Sequence, residues 1–212
     1  MSTPPDRRSR KRLATRQGIS DTATRLFFER GFDAVTVDEI AAAADVGRMT
    51  VFNHFPRKED LFFDRDEEGR AVLRDALRRR DPGVSPLETL RRLAHRLVAE
   101  DRPYVSFSAG SLRYVETVGD SEALKARARA IRDELAGEVA AGLAACAGRA
   151  ADDPDARLAA ALLLAAWTAA FVEAHRVYRQ GRDAGAARAA LLAVIDRGAR
   201  GLEAAMAGTP YA

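Results

Sequence analysis

Apolar residues recur through this chain at spacings of three and four, the period of helices that bury one face, and nothing after Leu61 alternates as a strand would. Between Gly31 and Leu61 the pattern resolves into two short helices. Thr36 and Glu39 occupy the first and fourth places of a T-x-x-E capping box, so a helix is expected to begin near Val37. Val37, Ile40, Ala41 and Ala44 form its inner stripe, and the small Ala42 and Ala43 let a second helix approach. Gly47 suits the bend, where a positive φ is expected. Arg48 to His54 then reads as one more short helix with Val51 and Phe55 facing inward.

Downstream, one long helix is expected over 57–80, carrying Leu61, Phe62, Val72, Leu73, Ala76 and Leu77 and halting at Asp81-Pro82-Gly83. Ser85-Pro86-Leu87-Glu88 supplies an N-cap serine, a proline at the first helical position and a glutamate at the third, a strong start signal. Helices near 86–100, 103–118, 121–147, 154–181 and 184–206 follow, with Asp153-Pro154 opening the penultimate one and Gly181 closing it. The expected fold class is all-α, with about nine helices. It divides into a basic disordered arm at 1–16, a three-helix unit at 17–61 with its central motif at about 36–55, a larger helical domain at 62–206, and a tail at 207–212.

Two short helices, a tight turn and a basic anchor are the layout of a helix-turn-helix DNA reader. Arg48, Met49, Thr50, Asn53 and His54 are left facing outward. Arginine pairs with guanine, asparagine with adenine, and methionine or the threonine methyl meets a thymine methyl. Lys58, just past Pro56, would stand at phosphate height. Pattern alone fits a solvated hairpin inside an all-α domain equally well.

The stretch from about Ile19 to Leu61 resembles the tetracycline-repressor (TetR) family of bacterial transcription regulators. Ala23, Leu26, Phe27, Gly31 and Phe32 are similar to the family's A..LF...GF. Thr36, Val37, Ile40, Ala41, Ala44 and Val46-Gly47 are similar to T-v-x-x-I-A-x-x-A-G-V, with Asp45 where the family usually has glycine and Gly47 where it often has serine. Thr50 to Leu61, TVFNHFPRKEDL, resembles T-l-Y-x-h-F-x-s-K-e-d-L almost position by position. The resemblance implies an N-terminal helix-turn-helix domain followed by a helical ligand-binding and dimerisation domain. It implies base contacts by Arg48 and Met49, a phosphate or base contact by Thr50, and backbone contacts by His54, Lys58 and Thr36. Phe52 replaces the family tyrosine, so one phosphate hydrogen bond per subunit would be missing. Such a loss weakens affinity more than it alters site choice.

Composition then locates the charge. The net charge is only +3, but Arg7, Arg8, Arg10, Lys11, Arg12 and Arg16 cluster with no acid among them, after Ser, Thr and two prolines. Such an arm is expected to be solvated and to strengthen binding through counterion release if it orders on DNA. No uninterrupted apolar run reaches the ~20 residues that span a bilayer, and no signal peptide is apparent, so a cytoplasmic protein with no membrane partner is expected. Cys146 reads as a small buried filler. The three histidines have no metal-ligand spacing, and no nucleophile, base motif or cofactor loop accompanies them, so neither an enzyme nor a cofactor or metal site is expected.

The helices at 154–181 and 184–206 spread Ala159, Leu162, Leu163, Ala166, Ala169, Ala170 and Ala190, Leu191, Val194, Ile195, Leu202 over more than one face. That pattern fits a buried core helix or a symmetric four-helix interface, and the resemblance favours a homodimer through these two helices. Tyr104, Phe107, Ser111, Arg113, Trp167, Phe171 and His175 are the candidate small-molecule pocket, since aromatics with a few polar groups suit a cavity. The implied function is that of a sequence-specific transcriptional regulator, a repressor released from a near-palindromic, double-stranded operator by a small-molecule effector. The alternative is a non-specific or architectural DNA-binding or interaction protein without ligand control.

Overall fold

A computed structural model describes residues 6–212 and, among them, only helices and turns. Ten α-helices run α1 Arg7–Arg30, α2 Val37–Ala43, α3 Arg48–His54, α4 Lys58–Phe62, α5 Asp66–Arg78, α6 Pro86–Ala99, α7 Ala109–Asp120, α8 Glu122–Cys146, α9 Pro154–Gly181 and α10 Ala184–Ala205, with a 3₁₀ turn at Pro103–Val105 before α7. The chain forms two compact units, one from the residues up to Arg65 together with Glu116–Arg127, the other from Asp66–Val115 and Ala128–Ala212.

The first unit is built on an apolar stripe of α1. Ile19, Ala23, Leu26 and Phe27 are buried with Phe32, Val35, Ile40, Ala41, Val51, Phe55, Leu61 and Phe62. Phe27, Phe32 and Phe62 meet as a tilted aromatic cluster with centroids 4.9 to 6.3 Å apart. α1 ends at Gly31, whose φ of 85° lies where a side chain is strained and whose N–H returns to the Phe27 carbonyl. That reversal points Phe32 back into the core.

Two expectations are corrected here. The basic arm is not disordered over its described part: Asp6 accepts from the Ser9 N–H at 2.7 Å, and the helix starts at Arg7. The first five residues of the arm lie outside the described ones. The single helix over 57–80 is broken between Phe62 and Asp66, so α4 belongs to the first unit and α5 to the second. Part of that break has a local cause. The Asp64 carboxylate accepts from the buried Ser20 hydroxyl, and the Asp64 carbonyl faces Arg16 at 3.5 Å. The tail after α10 joins the core. Tyr211 is buried and its hydroxyl donates to Asp153 at 2.7 Å, the same carboxylate that caps α9 through the Ala156 N–H. Burial first, then this bond, push the Tyr211 hydroxyl up to about 12.

In the second unit α9 and α10 pack along each other. The helices approach closely where Gly198 faces Ala166, since a Cβ on Gly198 would sit 2.5 Å from the Ala166 Cβ. α5 is tied to α8 by Arg70, which is buried and donates to Asp66, Glu134 and Glu138 at 2.6 to 2.8 Å. By length and composition α9 is also apolar enough to cross a bilayer. It is nonetheless packed into a helical core through Ala156, Ala159, Ala160, Leu163, Ala170 and Ala174.

Candidate nucleic-acid interface

The capping box forms as read. The Thr36 hydroxyl accepts from the Glu39 N–H at 3.2 Å, and the Glu39 carboxylate accepts from the Thr36 N–H and hydroxyl, both at 2.8 Å. Those Thr36 bonds, with Arg30 at 2.7 Å, hold Glu39 down at about 2. The turn between α2 and α3 is made differently from the expectation. Gly47 has an ordinary extended φ of −72° and serves as the N-cap of α3. The left-handed residue is Asp45, with φ 52°, the position where the family usually has glycine. Aspartate tolerates this region better than most side chains but still at a cost.

Val51 and Phe55 anchor α3 to the core, which leaves the opposite face outward. Met49 is 69% exposed, Asn53 is exposed, and Thr50, Phe52 and His54 are half-buried. Arg48 reaches across to Asp38 of α2 at 2.8 and 3.0 Å and lies 5.5 Å from the Phe52 ring. Both partners are mostly exposed, so this ion pair is weak and easily exchanged for another. Arg16 supports the end of α3 from beneath, donating to the His54 carbonyl at 2.6 Å and stacking over Phe55 at 4.0 Å. Burial, then Arg12 and Arg16, lower the His54 pKa, so its imidazole is neutral near pH 7.

Lys58 departs from its expected posture as a phosphate contact. Its ammonium donates to the Phe32 carbonyl at 2.7 Å and lies 4.2 Å over the Phe32 ring, and burial lowers its pKa. It pins the corner after α1 to the start of α4. Cationic groups that the sequence assigned to an arm are instead carried on a formed helix, because Arg7, Arg8, Arg10, Lys11 and Arg12 are exposed along the first turns of α1.

Sequence reasoning missed the corner between α7 and α8. Leu124 is fully buried, the Ser121 hydroxyl donates to Asp33 at 2.9 Å, and Arg127 donates to Asp60 at 3.0 Å. These residues, about 60 to 90 positions away in sequence, complete the first unit. A serine before a helix start was the only local sign.

The candidate pocket residues are only partly gathered. Phe107 and His175 meet edge to face with centroids 5.0 Å apart, and the Phe171 carbonyl accepts from His175 Nδ1 at 2.9 Å. Trp167 packs half-buried on the same core one turn before Phe171. Ser111 is occupied in a reciprocal cap with Ser108, accepting from its N–H at 2.8 Å, and Arg113 is exposed, so neither joins the aromatic group. The Tyr104 side chain lies outside the described residues. A separate open groove of about 660 Å³ lies between α5 and α8, walled by Leu73, Leu77, Leu135, Val139 and Cys146 with Arg74 and Arg78 at its rim. None of the expected pocket residues lines it.

Residues 19–64 match the sequence profile of bacterial regulatory proteins of the tetR family. That segment of the chain is thus similar to the DNA-binding region of tetR-family regulators. Over 91 residues the chain is 34% identical to the transcriptional regulator TcmR of Streptomyces glaucescens, which covers 42% of this chain and 40% of TcmR. The chain thus aligns with less than half the length of that curated relative. Beyond the reading head the likeness is one of fold. SmeT in complex with triclosan superposes with a TM-score of 0.56 at 20% identity, covering 89% of this chain and 91% of SmeT. FadR of Thermus thermophilus, a TetR-family repressor in complex with lauroyl-CoA, superposes with a TM-score of 0.55 at 27% identity, covering 88% and 92%. An N-terminal helix-turn-helix and a helical C-terminal domain are therefore the architecture of this chain.

Proposed function

We propose that this chain is a cytoplasmic, sequence-specific DNA-binding regulator, a repressor that leaves a near-palindromic operator when a small molecule binds its second unit. The observation that carries this reading is the outward face of α3. Arg48, Met49 and Asn53 stand exposed on a helix fixed by Val51, Phe55 and Arg16, chemistry matched to base edges in the major groove. On DNA, Arg48 exchanges Asp38 for a guanine. Thr50, His54 and the N–H groups at the capped start of α2 near Thr36 then face phosphates, while Phe52 packs on the sugar-phosphate ridge. The role of Lys58 is to hold the head's shape.

A second copy covers α9 and α10. Leu158, Leu162 and Val172 are 48%, 40% and 66% exposed on α9, and Ala186, Ala189, Ala193 and Gly201 are exposed on α10, an apolar surface made of small residues that allows close helix pairing. A twofold pair carries two α3 helices and so reads two half-sites. TcmR, SmeT and FadR support the regulator reading. The complexes of SmeT with triclosan and FadR with lauroyl-CoA support a small-molecule effector of a class the fold does not fix. An effector acts through the difference between its affinities for the DNA-competent and released conformations. The chain passes between units three times, after the non-helical link at 63–65, within α7 and within α8, and that difference is transmitted through these connections.

Selection of bound duplexes from a random pool, with sedimentation of the free protein, tests this. Two inverted half-sites and a dimer are expected. A monomer, or a pool that does not converge, contradicts the reading.

A further inference from the structure

His175 is 8% exposed, and its Nδ1 lies 2.9 Å from the Phe171 carbonyl. A carbonyl only accepts, so Nδ1 carries the proton and donates. In the neutral imidazole the second nitrogen, Nε2, is then a bare acceptor. Among the described residues this atom is buried and has no hydrogen-bond partner. Burial, with the charge of Arg179, lowers the His175 pKa and keeps the ring neutral near pH 7. Buried polar atoms in folded proteins are nearly always satisfied, so an acceptor held open in a core calls for a donor.

Its surroundings indicate what kind. Phe107 presents an edge to the imidazole, and the neighbouring core includes Ala174 and Tyr178, with Phe171 packed against it. A charge brought here without a counter-charge would be far costlier to bury than a dipole, which favours a neutral molecule. Phe107 itself lies between the 3₁₀ turn and α7, beside Ser106, whose hydroxyl donates to the Pro103 carbonyl at 3.0 Å. The Ser106 N–H reaches the Pro103 carbonyl at a long 3.5 Å, and the Ser108 N–H goes to the Ser111 hydroxyl. Packing, more than backbone hydrogen bonding, holds its ring in place.

We propose that His175 Nε2 accepts a hydrogen bond from the hydroxyl or N–H of a neutral, mainly apolar effector, whose body takes the place of the Phe107 ring as that ring swings aside. This rests on the reading of the second unit as the ligand sensor and gives that sensor its ligand chemistry.

The test uses the full chain and two probes of nearly one shape, 4-propylphenol, which has a donor, and 4-propylanisole, which has none. Trp167, the only tryptophan, lies two turns before His175 on α9 and reports binding by fluorescence, with calorimetry as a check. The wild-type chain is expected to prefer the phenol by about tenfold, the order of one buried hydrogen bond. His175→Leu is expected to bind the two probes equally and to melt no lower than wild type at pH 7.5, because it removes an unsatisfied acceptor. His175→Phe is the second variant should leucine pack badly, with the same expectation.

Equal binding of the probes by wild type, binding of neither, or a preference that survives both substitutions overturns the proposal. So does a lower melting temperature in both variants without phenol preference in wild type, the mark of an acceptor already satisfied by a buried water. Capture of the selected duplex is measured alongside. Its loss in the wild-type chain would sink the DNA-regulator reading, whereas retained capture with no phenol preference sinks only the His175 assignment.

Discussion

The two units of this chain earn their stability in different ways. The head is small and aromatic: Phe27, Phe32 and Phe62 fill a core around which three corners are held by polar contacts, Thr36 to Glu39, Lys58 to Phe32, Ser121 to Asp33. The second unit is long-helical and rich in alanine, and two of its helices meet with a glycine against an alanine. A surface that must present α3 in one geometry needs fixed ends. Under the proposed function, a surface that admits a ligand and a second copy needs smooth helices whose packing can be exchanged. The difference teaches that motif and geometry go together in the head, whereas the second unit conserves shape with little fixed chemistry.

The largest effect should come from breaking the head alone. Phe27→Ala removes the ring shared by the aromatic cluster and is expected to cost about 3–5 kcal/mol, abolishing duplex binding while circular dichroism retains the helices of the second unit. Gly198→Val is the counterpart in the second unit. Its side chain overlaps Ala166, and an expected loss of roughly 1–3 kcal/mol should appear as a lower second melting step and a weaker dimer, with isolated half-site binding kept.

Arg48→Ala sharpens the comparison within the head, since its partner Asp38 is exposed and stability should not change. Sequence preference at one base step is expected to relax by about 1–3 kcal/mol in competition assays. Lys58→Met should do the reverse, lowering the head's melting temperature with little change in which sequence is chosen.

Acidification tests both units through their neutral histidines. The pKa of His175 is lowered first by burial, so the unfolded chain takes up a proton that the folded one refuses. The stabilisation is complete above the ordinary histidine value near 6.5 and is lost as pH falls below it. Thermal melts between pH 7.5 and 5.5 should show a fall in the second unit that His175→Leu reduces. The smallest effect is expected from Asp45→Gly, which relieves a left-handed aspartate and should raise the head's melting point by a few degrees, about 0.5–1 kcal/mol.

Where a signal is local, the sequence carried it. The capping box at Thr36 and the limits of α9 at Asp153-Pro154 and Gly181 follow from neighbours three or four residues apart, and both appear where they were expected. The start of α1 at Arg7 escaped notice because the run of like charges outweighed a single aspartate cap. Gly47 was given the strained φ that Asp45 adopts, since glycine is the usual occupant of such a turn. The α7–α8 corner, the inward turn of Lys58 and the burial of Tyr211 depend on partners far along the chain, which no spacing reveals. The pocket residues shared aromatic character, but only Phe107, Phe171 and His175 share a place, because Ser111 is spent on a cap and Arg113 faces outward.

The central claim is that α3 reads bases. It is tested most directly by competing the selected duplex against a scrambled duplex of equal length and composition at about 150 mM salt. A preference of roughly a thousandfold or more, reduced by Arg48→Ala, is expected. A ratio near one that Arg48→Ala leaves unchanged would contradict it.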